Sequence, residues 1–178
     1  MKVVHTILAA LLCGLPAILG ACSNDPKAGY TLQRPHEKGI RSVAVPIWTR
    51  GADVYRRELE FRVTEALQKR IEQDTDYKVL PRDRADTELT GTIDRISQRP
   101  LSFDPDIARP REMEITMILS FTWTDLRTGK VLRRRSNFRV AGTYLPPSPP
   151  FGEDFFLGSE DVVNNVARRI VEQLEQDW

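Results

Sequence analysis

Residues able to do bond-making or metal chemistry are scarce in this sequence. It holds two cysteines, Cys13 and Cys22, and two histidines, His5 and His36. Cys22 has the most telling surroundings. In Leu19-Gly20-Ala21-Cys22 a leucine stands three residues ahead of a cysteine, with two small residues between them. That spacing resembles the bacterial lipobox. There the thiol takes a diacylglycerol, the chain is cut before the cysteine, and the new amine is often acylated, commonly with palmitate. What precedes it fits. Met1-Lys2 is a short basic start, and Val3 to Ile18 is apolar apart from His5 and Thr6. The apolar run falls short of the roughly 20 residues that span a bilayer and ends in small residues, as a cleavable secretory leader does. Ser23, not Asp, follows Cys22. In the enteric sorting pattern that directs a lipoprotein to the outer membrane.

Cleavage would change the remaining chemistry. Lys2 leaves, so the 26 basic residues become 25 against 25 acidic ones, and the mature chain is formally neutral. Cys13 and His5 leave, and Cys22 is lipidated. No thiol remains for a nucleophile, and no cluster of His and Cys remains for a metal. Several acyl chains on one residue give a stable anchor, each buried CH₂ contributing about 0.8 kcal/mol. The expected non-protein group is therefore covalent, an N-acyl and S-diacylglycerol lipid on Cys22, with no other cofactor and no metal.

The rest of the chain offers no catalytic set. A Ser-His-Asp triad would need His36, which sits in a polar stretch unsuited to holding a geometry. There is no phosphate-binding glycine loop. Glu58/Glu60, Asp83/Asp86 and Glu112/Glu114 are paired carboxylates set among Arg and Lys, the pattern of solvated, ion-paired faces. An enzyme is not expected. The neutral balance and the secretory address disfavour nucleic acid. Arg133, Arg134 and Arg135 are the remaining candidates. In a strand, Arg133 and Arg135 share a face and Arg134 takes the other. With Arg95 and Arg99 on neighbouring strands they would suit a phosphorylated lipid, because guanidinium forks match phosphate oxygens. A solvated face with Glu112 and Glu114 as cross-strand partners is the plainer reading.

These side chains need a scaffold. Residues 1–21 read as the leader and 22–38 as a polar tether containing Pro26, Gly29 and Pro35. Residues 39–178 read as a single domain. Ile40 to Trp48 is rich in strand formers, and Pro46 marks an edge or an end. Leu59, Val63, Leu67 and Ile71 recur every four residues and predict a helix over Asp53–Gln73. Phe61 falls off this stripe, which leaves a second contact face as its only account. Tyr77 to Pro81 is a short strand. Ala85 to Gln98 is another, with Leu89, Gly91 and Ile93 on one face. Ile96 breaks the alternation and predicts a bulge.

Met113, Ile115, Met117, Leu119, Phe121 and Trp123 alternate with mostly polar residues. Glu112–Thr124 is therefore a long strand with one buried face. Asp125 to Lys130 is a turn with Gly129 at its end, and Val131–Tyr144 returns as the antiparallel partner. Pro146, Pro147, Pro149 and Pro150 forbid regular structure. The apolar Phe151, Phe155 and Phe156 nearby either pack over the sheet edge or dock into a partner. Ser159 caps a last helix whose stripe runs from Val163 to Leu174. The order β-α-β-β-β-β-α predicts an α+β two-layer sandwich. Its sheet is mainly antiparallel, with four to five strands and both helices on one face.

Taken in order, these segments resemble the LptE family, outer-membrane lipoproteins of lipopolysaccharide assembly. The resemblance runs from Gly29-Tyr30 through Ile40-Arg41-Ser42-Val43-Ala44-Val45-Pro46 and the helix from Glu58 to Leu67. It continues through Ala85–Ile93 and Asp125–Leu132 and ends in Val166–Trp178. It implies a sheet-and-helix domain that sits inside the β-barrel LptD as plug and assembly factor and binds lipopolysaccharide through basic residues. Arg133, Arg134 and Arg135 are the candidate positions. The lipid anchor would hold the protein to the periplasmic side of the outer membrane. A second reading is an auxiliary lipoprotein of another envelope transport or secretion machine, in the style of the CsgG or TolB N-terminal domain. That domain shares the strand-helix opening and the Asp-x-x-Thr-Gly hairpin.

Overall fold

Trp123, Phe121, Leu119, Met117 and Ile115 are each at most 2% exposed and form one continuous wall down the middle of the protein. Each contributes about 2 kcal/mol by leaving water. They lie on β5 (Pro110–Asp125) in a computed structural model that describes residues 39–106, 108–146 and 154–175. The leader 1–21, the tether 22–38 with Cys22 and His36, the segment 147–153 and Trp178 lie outside the described residues.

The other elements are β1 (Ser42–Ala44), β2 (Thr49–Arg50), α1 (Leu59–Asp74), β3 (Lys78–Val79), β4 (Thr87–Phe103), β6 (Val131–Tyr144) and α2 (Phe155–Glu175). The strands form one sheet in the order β3-β1-β4-β5-β6, with β2 beside β4. The fold is α+β as expected, but the sheet is mixed. The long pairs β4–β5 and β5–β6 are antiparallel, whereas β1–β3, β1–β4 and β2–β4 are parallel. Leu59, Val63, Leu67 and Ile71 of α1 and Val162, Val163, Val166, Ala167, Ile170, Val171 and Leu174 of α2 are buried. They join the inward residues of β4, β5 and β6 in one core.

Several boundaries differ from expectation, each for a local reason. Of the strand expected over Ile40–Trp48 only β1 forms, because Pro46 has no N–H to give a ladder, and β2 begins after Trp48. Trp48 is buried at 2% exposure, with its backbone N–H donated to Thr64 Oγ1 at 3.0 Å. Helix α1 starts at Leu59, not Asp53, since Glu58 sits at φ 76° and breaks any helix begun earlier. The strand expected over Tyr77–Pro81 is only Lys78–Val79.

Ser159 does not cap α2. Asp154 does, its Oδ1 accepting the Leu157 N–H at 2.8 Å, and the helix starts four residues before Ser159. Ser159 is buried inside the helix, donating to Phe156 O at 2.9 Å and accepting from Arg62 Nη1 at 2.6 Å. The hairpin turn stands as expected, with Gly129 at φ 71° and Asp125 Oδ1 accepting the Arg127 N–H at 2.8 Å.

The predicted bulge is present two residues before Ile96. Ile93 faces Leu119 and Arg95 faces Ile118, so Asp94 is the extra residue. A second bulge lies in β6. Phe138 faces Leu119 and Arg135 faces Phe121, leaving Ser136 and Asn137 opposite Ser120 alone, with Asn137 at φ 54°. Both bulges therefore flank the same point of β5.

A helix-free sheet face as the candidate functional site

The face of the sheet opposite the two helices is built by the second residue of each alternating pair. On β5 these are Thr116, Ile118, Ser120, Thr122 and Thr124, polar apart from Ile118. Their neighbours on β4 are Ser97, Arg95, Thr92, Thr90 and Glu88. On β6, Ala141 faces Thr116, Arg139 faces Ile118 and Arg134 faces Thr122. The hydroxyls bind one another and the backbone: Thr49 and Thr92 share a bond of 2.8 Å, and Thr90 Oγ1 donates to Thr122 O at 3.4 Å. Ser120 Oγ donates to Asp94 Oδ2 at 2.6 Å, so the bulged residue is tied to the strand it bulges from. A groove of about 310 Å³ opens here among Thr49, Thr90, Thr92, Ser120, Thr122 and Arg134.

The charge on this face is organised around one carboxylate. Glu114 accepts a fork from Arg99, Nε to Oε1 at 2.8 Å and Nη2 to Oε2 at 3.2 Å. It also accepts from Thr116 Oγ1 at 3.2 Å and has Arg139 Nη2 at 3.8 Å. The Arg99 bond is the largest cause holding the Glu114 carboxyl below its ordinary value, and the same bond raises the Arg99 guanidinium. One carboxylate thus faces two exposed guanidinia, and Arg95 and Arg134 add two more positive groups to the face. The arrangement presents guanidinium forks beside rows of hydroxyls, which suits oxyanions and sugar hydroxyls rather than bond cleavage.

The three candidate arginines do not gather. Arg133 faces Trp123 and Arg135 faces Phe121, so both stand on the helix side, and Arg135 Nε donates to Gln173 Oε1 of α2 at 3.1 Å. Arg134 alone reaches the outer face. This is the alternation expected of a strand, but it splits the trio as a site. Nor do Arg95 and Arg99 border β6, because β5 lies between. Sequence reasoning missed Arg139. Strict alternation would put it with Arg133 and Arg135, and the bulge at Ser136-Asn137 moves it to the outer face. An Asn in the middle of the strand was the available signal, since Asn is among the few residues that tolerate positive φ.

One carboxylate of each pair has a structural partner, Glu114 as described. Glu60 accepts from Arg50 Nε at 2.9 Å, and Asp86 accepts from the Arg41 N–H at 3.0 Å and Ser42 Oγ at 2.9 Å. No group of three His, Cys, Asp or Glu suited to a metal occurs among the described residues. No helix among them is long and apolar enough to cross a membrane.

With this geometry established, comparison with known proteins is informative. No curated protein matches the chain. Among solved structures, uncharacterized lipoprotein B from Nitrosomonas europaea is similar with a TM-score of 0.50 at 17% identity, over 83% of this chain and 90% of that one. Protein XCC0632 from Xanthomonas campestris gives a TM-score of 0.49 at 12% identity, over 82% of this chain and 90% of that one. Rare lipoprotein B from Shewanella oneidensis gives 0.45 at 16% identity, over 75% and 93%. The first of these supports the fold. Residues 40–177 match the family described as LptE, lipopolysaccharide-assembly, which spans every described strand and helix; the chain belongs to that family.

Proposed function

We propose that this protein is a non-catalytic plug and assembly partner of an LptD-like outer-membrane β-barrel, anchored by lipid on Cys22, and that its helix-free sheet face meets lipopolysaccharide. Residues 22–38 serve as the tether and 39–178 as the working domain. The observation that carries the reading is the outer face of β4, β5 and β6. It is a broad surface of hydroxyls and guanidinia, left open by both helices and built without a catalytic set. A plug inside a barrel needs polar faces against a polar wall. A phosphorylated glycolipid needs guanidinium forks for its phosphates and hydroxyls for its sugars. Arg95, Arg99, Arg134 and Arg139 are the residues assigned to the phosphates; Arg133 and Arg135 lie on the other face and drop to a supporting role.

The test is a mild-detergent pull-down of C-terminally tagged, lipidated protein from its own membranes. A large outer-membrane barrel recovered near one-to-one is the expected result. Recovery of inner-membrane transporter subunits or self-oligomers alone sinks the barrel reading and favours the auxiliary-lipoprotein alternative. Lipopolysaccharide binding is read separately on the purified protein. Arg134→Ala together with Arg139→Ala should weaken it about tenfold or more, the scale of two lost charge-assisted contacts.

A further inference from the structure

Phe61 and Phe156 have no place in the core, at 53% and 55% exposure, and Tyr55 is 87% exposed. Phe61 lies on the first turn of α1, Phe156 at the start of α2, and Tyr55 in the loop that leads into α1. A cleft of about 560 Å³ opens where these two helix starts meet, lined by Tyr55, Arg56, Arg57, Arg62, Phe155 and Phe156 among others. The Arg56 guanidinium lies 3.6 Å from the centre of the Phe155 ring, and that of Arg62 lies 4.1 Å from Phe156. Two carboxylates line the cleft, Glu58 and Asp154, and Asp154 is already committed as the cap of α2. Positive charge is therefore in excess beside exposed rings.

We propose that this cleft docks an extended, carboxylate-bearing protein segment of the barrel partner; the proposal rests on the plug reading given above. Three features favour such an occupant. Exposed aromatic and arginine side chains packed together are the residue set of protein–protein hot spots. A guanidinium stacked on a ring keeps its N–H edge available for a carboxylate fork while the stacking holds it in place; Arg56 offers such an edge, and Arg62 offers what its Nη1 bond to Ser159 Oγ leaves.

The third feature counts against a lipid surface. Phe155 and Phe156 cannot enter hydrocarbon without drawing two stacked charges with them. The cleft also lies at the end of the sheet away from where the described chain starts. The described chain starts beside Asp86, whose carboxylate binds the Arg41 N–H and whose carbonyl binds Leu126 of the hairpin turn. From Asp125 to Met113, the level of Tyr144 and the cleft, β5 runs about 41 Å.

The experiment uses the tagged, lipidated chain in its native membranes. Arg56→Glu with Phe156→Ser should cut barrel recovery about tenfold or more, with an unchanged melting temperature, since both side chains are surface groups. Lys69→Glu on the exposed flank of α1 is the charge-matched control and should leave recovery unchanged. A photo-crosslinking side chain at Tyr55 should then join a barrel peptide rich in Asp or Glu. Barrel recovered with wild type and double variant alike overturns the docking site and leaves the plug reading standing. Absence of barrel with wild type overturns both. A Tyr55 crosslink to lipid, or to residues 147–153 of the same chain, overturns the docking site by naming another occupant.

Discussion

Asp86 fastens three parts of the chain with one residue. Its carboxylate accepts from the Arg41 N–H and Ser42 Oγ, its own N–H donates to Ser42 Oγ at 2.9 Å, and its carbonyl accepts the Leu126 N–H at 2.8 Å. The Arg41 bond, followed by Ser42, holds its carboxyl below the ordinary value. Glu114 is held low by Arg99 in the same sense. For a folded-state value below the unfolded one, the stabilisation is full above the unfolded pKa and is lost as pH falls through the folded value. The urea midpoint should therefore fall as pH drops below the ordinary carboxylate range of about 4. Asp86→Asn should flatten that fall while lowering stability at pH 7. Equal slopes for variant and wild type would remove Asp86 from the explanation. Gly158 is a second single-residue constraint. A Cβ there would overlap the Tyr144 side chain of β6. Gly158→Ala should cost about 1–3 kcal/mol, by overpacking, in a urea titration. None of this was legible beforehand. Pairing between residues 42 and 86, or 144 and 158, depends on which strands are neighbours, and spacing along the chain carries no such information.

At the scale of elements, periodicity was a good guide wherever a long segment buried one face. β5 and the stripe of α1 stand nearly as their periodicity predicts, because burial alone decides them, and β6 stands as the return of the hairpin. Ends fared worse. α1 starts late at a residue in the left-handed region, and α2 starts early on Asp154, since local capping chemistry decides an end. The parallel strands β1 and β3 were legible as strands but not in direction, which depends on the crossover through α1; β2 lies beyond the strand expected over Ile40–Trp48. The candidate site suffered most. Its composition depends on two bulges, and only the one in β4 left a mark in the pattern. Asn137 tests the other. Asn137→Val should destabilise by about 1–2 kcal/mol, the cost of a β-branched residue at positive φ, whereas Asn137→Gly should be near neutral. Equal effects from the two would show that the turn conformation is not what holds the bulge.

The whole molecule has an uneven distribution of stability. β4 runs for 17 residues, or about 56 Å, while α2 with 21 residues covers about 31 Å. The far ends of β4 and β5 therefore extend past the helices, and Leu101 and Phe103 are 43% and 56% exposed. Amide hydrogen exchange should find residues 98–103 and 110–112 opening well before 117–123, whose side chains meet α2 and the core. Uniform protection along β4 would contradict this. The molecule also has two distinct ends, with chain entry and the Asp125–Lys130 hairpin at one and the arginine–phenylalanine cleft at the other. Its broad polar face lies between them, so the ligand face and the partner cleft proposed above need not compete for the same surface.

The paired bulges have a consequence for how such a chain can change over time. Across Ile93 to Arg95 two steps of β4 match one of β5, and across Arg135 to Phe138 three steps of β6 match two. Each bulge therefore holds one residue more than the ladder needs. Losing that residue, at 94 or at 136–137, would return the strand to plain alternation with Arg95, Ser97, Arg99 and Arg139 still on the polar face. Losing two would turn them toward the helices. The bulges are spare length: either can be gained or lost without turning the polar side inward.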